Sequence, residues 1–370
     1  MKNNFLRITI AILVWGALSG WGYTGHRAIT EGAAKSFSPM MESFHPWVDH
    51  IANHSSDADN RKSWDKAEGK KHYIDVDNYD TFLANGHISM SYDMLVEHYG
   101  VDFVHKQGTL PWATKASYDT LVACFERLDF DKAVLAAADL SHYVADGHMP
   151  LHMTKNYNGQ LTGNDGIHSR YESAMISMYV DEIHFRQEHI QKIQSVDDFI
   201  FNYLYESYND VDSLLLADDY AFSVAGDKTS RDYHKALWSK THELTKLTFR
   251  EAAVAFARIF YTAWLNAGSP DVSGHNFSDE VSRTPFALKY VSVDYDDSSL
   301  NVLYQCEEGM SASLSLYNEG KSKVLHEEID IEKGGVHEML IPFYELTPGK
   351  YELIFSGSEM SDERYFFIRE

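Results

Sequence analysis

The feature that most constrains the fold is a change in the spacing of apolar residues late in the chain. Residues 230–267 place apolar side chains three and four positions apart, which is the spacing of a helix with a buried face. Later stretches such as 313–317 and 351–355 alternate or run as short β-rich segments between clusters of turn-forming residues. The sequence therefore predicts a mainly α protein, with a helical domain at 21–268 followed by a small antiparallel β-sandwich at 286–370.

A stretch without periodicity separates the two predicted domains. The helical pattern stops at Gly268 with Pro270 just beyond it, and both residue types commonly end a helix. Residues 269–285 show no apolar repeat, and we predict that they form a linker. The chain has 370 residues, which is long enough to bury a sizeable core in its larger domain.

The first twenty residues have the pattern of a secretory signal peptide. Lys2 and Arg7 give a positive start, residues 8–15 are apolar, and small residues follow before Trp21. The apolar run is much shorter than the about 20 residues of a membrane-spanning helix. We therefore predict that residues 1–20 are removed, that the mature chain begins at Trp21, and that it is periplasmic, on the cell surface or extracellular.

Net charge and cysteine content narrow the possible functions. The formal net charge is −23 at pH 7, and an acidic surface repels polyanions, which argues against binding to duplex DNA. The chain has two cysteines, Cys124 and Cys306, which fall in different predicted domains. We therefore predict no disulfide framework, and stability must come from the core and from any bound metal.

Histidines and acids concentrate between residues 142 and 172. His142 and Asp146 are four residues apart, and His168 and Glu172 repeat that spacing, so on a helix each pair shares one face. His152 lies between the pairs. Nitrogen and oxygen ligands in this combination suit zinc. His148 has no such partner, and we predict that it lies behind the ligands or at the surface.

Two further groups of candidate ligands lie upstream. Asp57 and Asp59 precede His72, and Trp21 precedes His26 by five residues. Removal of the signal peptide would free the α-amino group of Trp21, and a neutral amine can bind a metal ion. Each group is weak evidence alone.

The order of these residues resembles that of the zinc-dependent phospholipase C and single-strand-specific zinc nuclease superfamily. That superfamily has an all-helical fold that holds three zinc ions, and the resemblance covers roughly residues 21–265. The sequence WGYTGH at 21–26 is similar to the nuclease branch. The sequence HSRYES at 168–173 is similar to the phospholipase branch, which has Glu where nucleases usually have Asp.

The resemblance implies three zinc sites, two of which share the bridging carboxylate of Asp146. One of these two would also use Asp57, His72 and His142, and the other would use His26 with the amino nitrogen and carbonyl oxygen of Trp21. The complete set of implied ligands is Trp21, His26, Asp57, His72, His142, Asp146, His152, His168 and Glu172. We favour Asp57 over Asp59 as the ligand, and Asp59 remains the alternative. Asp57 would orient the attacking water or accept its proton.

The resemblance also implies that the chain hydrolyses phosphodiester bonds, and three functions stay open. Glu172 and the acidic charge favour a phospholipase C acting on phospholipids. The WGYTGH start and the aromatic content of 14% favour a nuclease, because aromatic rings stack on unpaired bases. The third is a non-catalytic zinc-binding surface protein. For the β-sandwich we consider contact with a membrane or cell surface, or no site at all.

Overall fold

The computed structural model describes residues 22–62, 65–278, 281, 287–294, 299–306, 309–331, 335–342, 346–357 and 361–368. The predicted signal peptide and Trp21 lie outside the described residues, as do residues 279–280 and 282–286 of the predicted linker.

The first part of the chain is helical, as predicted. Its α-helices are α1 Gly22–Ala33, α2 Trp47–His54, α3 Asp57–Arg61, α4 Asp80–Asn85, α5 Tyr92–Tyr99, α6 Val101–Lys106, α7 Leu110–Glu126, α8 Phe130–Gly147, α9 Ile167–Ser169, α10 Ile176–Tyr179, α11 Val196–Tyr208, α12 Val211–Ala225 and α13 Arg231–Asn266. Short 3-10 helices occupy Ala34–Ser36, Pro39–Phe44, Glu68–His72, Val76–Asn78, Pro150–Met153 and Val180–Glu182, and Arg170–Met175 forms a π-helical turn.

Within the described residues, no helix is both long enough and apolar enough to cross a membrane.

Helix α8 lies at the centre of the helical part. Every residue from 140 to 150 is buried, as expected for a helix covered on all sides. Helices α1, α7 and α13 pack around it. Helix α13 is the longest, and it begins where the Ser230 side chain accepts a hydrogen bond from the backbone N–H of Tyr233. It ends just before Gly268, whose φ of +86° suits a residue without a side chain.

The predicted linker follows the surface of the helical part. Residues 269–278 form neither helix nor strand. Val272 and Val281 are buried in the helical core. The ring of His275 lies 3.0 Å from the carboxylate of Asp131 at the start of α8. The described residues of this segment therefore pack against the helices.

The C-terminal part consists of antiparallel strands, also as predicted. The strands are β1 Ala287–Asp294, β2 Ser299–Cys306, β3 Ser311–Asn318, β4 Lys323–Asp330, β5 Gly335–Pro342, β6 Gly349–Ser356 and β7 Ser361–Ile368. One sheet has the order β1-β2-β5 and the other the order β4-β3-β6-β7. The two sheets meet where the rings of Tyr304 and Phe355 lie 4.9 Å apart. Their apolar side chains form a cluster separate from the helical core.

Candidate metal centre

The structure brings the candidate ligands together in three groups. We call Asp59, His72 and His142 the first group, His26, His142 and Asp146 the second group, and His152, His168 and Glu172 the third group. Within each group, one nitrogen or oxygen atom from every residue lies within 4.8 Å of the others. All of these residues except Asp59 are buried.

Asp146 connects the groups because its two carboxylate oxygens face different histidines. It lies one turn after His142 on the buried helix α8. Its Oδ2 atom is 2.9 Å from His72 Nδ1 and 3.2 Å from His142 Nε2. Its Oδ1 atom is 3.5 Å from His26 Nε2 and 3.6 Å from His152 Nδ1. One carboxylate therefore reaches the first group, the second group and the nearest ring of the third.

Two backbone contacts and one glycine hold His72 in place at the end of its 3-10 helix. The backbone N–H of Ile74 donates to the carbonyl of His152 at 2.9 Å, and that of Thr109 donates to the carbonyl of Lys70 at 2.6 Å. Gly108 has a φ of +89°, and a Cβ atom there would lie 2.1 Å from the carbonyl oxygen of Tyr73. Only glycine allows this close approach of the two chain segments.

The first group corrects the prediction that favoured Asp57 over Asp59. Asp59 Oδ1 lies 3.5 Å from His72 Nδ1 and 3.6 Å from His142 Nε2. Asp57 instead lies 2.6 Å from His54 Nδ1, and its side chain is 31% exposed against 12% for Asp59. Both acids lie on the short helix α3, where residues two positions apart point to different sides. Only one of them can face the histidines, and it is Asp59.

Backbone carbonyls fix the orientation of two of the imidazole rings. His142 Nδ1 donates to the carbonyl of Ser55 at 2.7 Å, and His168 Nδ1 donates to the carbonyl of Tyr157 at 3.2 Å. In each neutral ring the Nε2 atom is then the one that can bind a metal ion. The ring of His26 stacks on that of His142 with 3.9 Å between centroids.

The third group comes from the window that the sequence singled out. His168 lies in α9, and Glu172 lies in the π-helical turn that follows it. His168 Nε2 is 2.8 Å from Glu172 Oε1, and His152 Nε2 is 3.4 Å from Glu172 Oε2. The two Nε2 atoms are 3.2 Å apart. Single π turns within helices often occur at functional sites.

Several buried polar atoms of these groups have no hydrogen-bond partner among the described residues. They are His26 Nδ1 and Nε2, Asp146 Oδ1, His152 Nδ1 and Glu172 Oε2. Each such atom costs roughly 1–3 kcal/mol when it is buried without a partner. Imidazole nitrogens and carboxylate oxygens at this spacing suit zinc, so the donor set fits the predicted metal.

In the metal-free groups, the pKa values of the stacked rings of His26 and His142 shift in opposite directions. Burial, helped by the neighbouring His142, lowers the pKa of His26 to about 3. Burial also opposes the charged form of His142, but the carboxylates of Asp146 and Asp59 outweigh it and raise its pKa to about 9. Burial opposes ionisation of Asp146, yet His142 and His152 hold its pKa well below the usual range. Metal binding at His142 must therefore release a proton.

His148 lies outside the three groups. It is buried, so of the two predicted positions, behind the ligands or at the surface, the surface position is excluded. Its Nδ1 donates to the carbonyl of Val144 at 2.7 Å, and its ring stacks on that of Tyr203 at 4.4 Å. It faces a separate cavity of about 520 Å³ that includes Glu206 and Arg258 in its lining.

Sequence reasoning missed two side chains next to the first group. Glu68 is buried and lies four residues before His72, which is the same spacing as in the pairs that the sequence singled out. Lys62 places its Nζ atom 2.5 Å from Asp59 Oδ1. The four-residue spacing between Glu68 and His72 could have indicated Glu68 from the sequence. Nothing in the sequence distinguishes Lys62 from an ordinary surface lysine.

Comparisons with known proteins give distant similarities. No family model matches the chain. A probable serine protease from Bradyrhizobium tropiciagri is 24% identical over 204 residues, which is 47% of this chain and 26% of that protein. The match thus spans about a quarter of that relative's length.

Two solved structures are similar over most of their length. The alpha-toxin of Clostridium perfringens from an avian strain has a TM-score of 0.42 and 10% identity, covering 95% of this chain and 99% of that one. The alpha-toxin of Clostridium absonum has a TM-score of 0.37 and 10% identity with the same coverage. Similarity at these scores assigns neither a family nor a function to this chain.

Proposed function

We propose that this chain is a secreted zinc-dependent phosphodiesterase that acts on phospholipids in the manner of a phospholipase C. The observation that carries the proposal is the position of Asp146, whose buried carboxylate faces histidines of all three groups. Within the described residues this carboxylate has no Lys or Arg counterion among its ion pairs. Bound cations would supply the missing positive charge.

The three groups would hold three zinc ions. Asp146 would contribute to both the first and the second site. The first site would also use Asp59, His72 and His142, and the second site would also use His26. The amino nitrogen and carbonyl oxygen of Trp21, outside the described residues, remain the proposed additional ligands beside His26. The third site would use His152, His168 and Glu172, three protein ligands that leave a position open for water or substrate.

Zinc ions held in this way would lower the pKa of bound water and neutralise charge on a phosphoryl oxygen. The protein side chains supply orientation and a proton acceptor. Asp59 takes the role that we first gave to Asp57, because it faces the histidines and its side chain remains partly open to solvent. It can orient the attacking water or accept its proton. Burial of His26 and His142 keeps bulk water away from the other side of the groups.

Charge and one ligand favour phospholipid as the substrate. Glu172 occupies the position where the phospholipase branch has Glu. A net charge of −23 repels long nucleic acids more strongly than it repels a lipid head group.

One observation favours a nuclease as the second candidate function. The Tyr157 side chain is 38% exposed, and its ring lies 5.9 Å from that of His168 in the third group. An exposed aromatic ring at this position can stack on an unpaired base. We therefore retain single-strand nuclease activity as the alternative.

A parallel assay on zinc-loaded protein beginning at Trp21 tests these functions. Vesicles of phosphatidylcholine or phosphatidylethanolamine are compared with single-stranded DNA and RNA, each with and without a chelator. We expect release of diacylglycerol that the chelator abolishes. Release of nucleotides with intact lipid would replace the phospholipase by the nuclease. No hydrolysis by a chain that binds zinc tightly would leave a non-catalytic zinc protein.

The β-sandwich has a separate proposed role in contact with a membrane or cell surface. Liposome binding and export of a chain that lacks residues 286–370 test it. Unchanged binding and unchanged export would remove that role.

A further inference from the structure

Glu68 is a buried carboxylate directly behind the first group. It begins the 3-10 helix Glu68–His72, and its side chain is fully buried. A carboxylate in such a place is costly unless donors surround it. Its position therefore needs a reason beyond packing.

Both oxygens of Glu68 are held by donors from the chain itself. The Tyr143 hydroxyl donates to Oε1. Lys71 Nζ donates to Oε2 at 2.7 Å, and Arg61 Nε donates to the same oxygen at 3.3 Å. Two cationic side chains of the chain itself thus face Glu68, which distinguishes it from Asp146.

The carboxylate of Glu68 faces the ring nitrogen of His72 that points away from the candidate metal ligands. Glu68 Oε1 lies 3.5 Å from His72 Nε2. The other ring nitrogen, Nδ1, lies 2.9 Å from Asp146 Oδ2 and 3.0 Å from His142 Nε2. The ring of His72 therefore stands between an internally neutralised carboxylate and the first group.

The same carboxylate links the three chain segments that supply the first group. Arg61 comes from α3, which carries Asp59, and Tyr143 comes from α8, which carries His142. Glu68 belongs to the 3-10 helix that ends with the remaining histidine of the group. Contacts to one residue thus set the relative positions of all three segments.

We infer that Glu68 is a positioning residue of the metal centre, whose carboxylate accepts the Nε2 proton of His72 and leaves Nδ1 as the metal-binding atom. Histidine ligands commonly donate their second ring N–H to a carboxylate, which fixes the tautomer and the ring orientation. The inference rests on the proposed function only in that the first group binds zinc.

Zinc affinity of Glu68 variants, measured by competition with a chromophoric chelator, tests this inference. Loss of a carboxylate behind a ligand typically lowers metal affinity about 10–100-fold, and we expect this for Glu68→Ala. Glu68→Gln keeps the shape and one acceptor, so we expect a smaller loss. Asp139→Asn is the matched control, because Asp139 pairs with Arg61 at 2.9 Å but does not contact His72. Its zinc affinity should stay within a few-fold of the parent.

A second readout identifies the coordinating nitrogen of His72. Nitrogen NMR of zinc-loaded, ¹⁵N-histidine-labelled protein should show Nδ1 bound and Nε2 protonated in the parent, and a loss of this single pattern in Glu68→Ala. If both Glu68 variants misfold, Tyr143→Phe removes one donor to Glu68 and should weaken zinc binding by a few-fold. Parent-like zinc affinity in the folded variants, or Nε2 coordination in the parent, overturns the inference. A parent that binds no zinc overturns the proposed function and this inference together.

Discussion

The helical region and the β-sandwich bury carboxylates in opposite ways. In the sandwich, the buried Glu352 is paired with Lys321 at 2.5 Å. In the helical region, Asp146 and Glu172 are buried against imidazole rings instead. Glu68 lies next to the candidate metal groups of the helical region, but like Glu352 it is paired with cationic side chains, here Arg61 and Lys71.

The difference separates carboxylates that the chain neutralises itself from those that need a charge from outside. A buried carboxylate is stable when a cation of the chain faces it, as at Glu352. At Asp146 the neighbouring rings can supply that charge only by holding a proton, and a metal ion can replace it. Metal binding should therefore stabilise the helical region, by about 4 kcal/mol at 1,000 times the dissociation constant, and leave the sandwich unchanged.

The largest expected effect comes from removing a histidine from each region. His142→Ala should lower phosphodiesterase activity by about 1,000-fold or more, because a zinc site is worth several kcal/mol of barrier reduction. His326→Ala is the matched control, since His326 lies on β4 and contacts Ser315 and Glu328. Its activity should equal that of the parent. Similar losses in both variants would remove the distinction between the regions.

The next effect separates the two acids on α3. Asp59→Asn should weaken zinc binding by more than the about 10–100-fold typical of residues behind the ligands, because it removes a proposed ligand. Asp57→Asn changes an acid that faces His54 and should alter affinity by less than about tenfold. Calorimetric zinc titration of both variants measures this. The reverse order of affinities would restore Asp57 as the ligand.

A third test concerns pH and the metal-free protein. The carboxylates around His142 raise its pKa to about 9 although burial opposes this, so the folded chain binds this proton more tightly than the unfolded chain. The resulting stability is complete below about pH 6.5 and is lost as the pH rises through the folded pKa. We expect a decrease of about 3 kcal/mol from this group in chelator-treated protein.

Thermal unfolding from pH 6 to pH 10 follows this decrease. Zinc-loaded protein should lack it, because zinc binding already removes the proton from His142. Metal-free His142→Ala should show a smaller decrease, because His168 remains: burial opposes its charged form, but Glu172 outweighs this and raises its pKa as well. A metal-free chain whose stability rises over this range would show that the charged form of His142 is not favoured.

The smallest effect is expected at Lys62. Its ammonium lies 2.5 Å from Asp59 Oδ1 and competes with a metal ion for that carboxylate. Lys62→Gln should therefore raise zinc affinity by about two- to fivefold, the range of a partly screened ion pair. Lys132→Gln, which changes an exposed lysine paired with Asp129, should leave the affinity unchanged. Weaker zinc binding in Lys62→Gln would contradict this interpretation.

Local spacing predicted the parts of the centre that lie close together in sequence. His168 and Glu172, like His142 and Asp146, form pairs four residues apart, and helical geometry puts each pair on one face. The β-strands could also be predicted from local sequence, because apolar residues alternate along a strand and turn-forming residues separate the strands.

Local spacing did not distinguish between some candidate residues, and only their three-dimensional positions do so. Asp57 and Asp59 stand at similar distances before His72, and only the orientation of α3 selects between them. Glu68 shares the informative spacing, but next to Lys70 and Lys71 it looks like part of a charged surface. Its burial depends on Tyr143 from α8, a contact that no local pattern contains.

Zinc content, measured by elemental mass spectrometry on dialysed protein, decides whether the three groups hold metal. We expect three zinc ions per chain in the parent and two in His168→Ala, because His168 belongs to the third group alone. Less than one zinc ion per chain in the parent, or an unchanged content in the variant, would contradict the proposed metal centre.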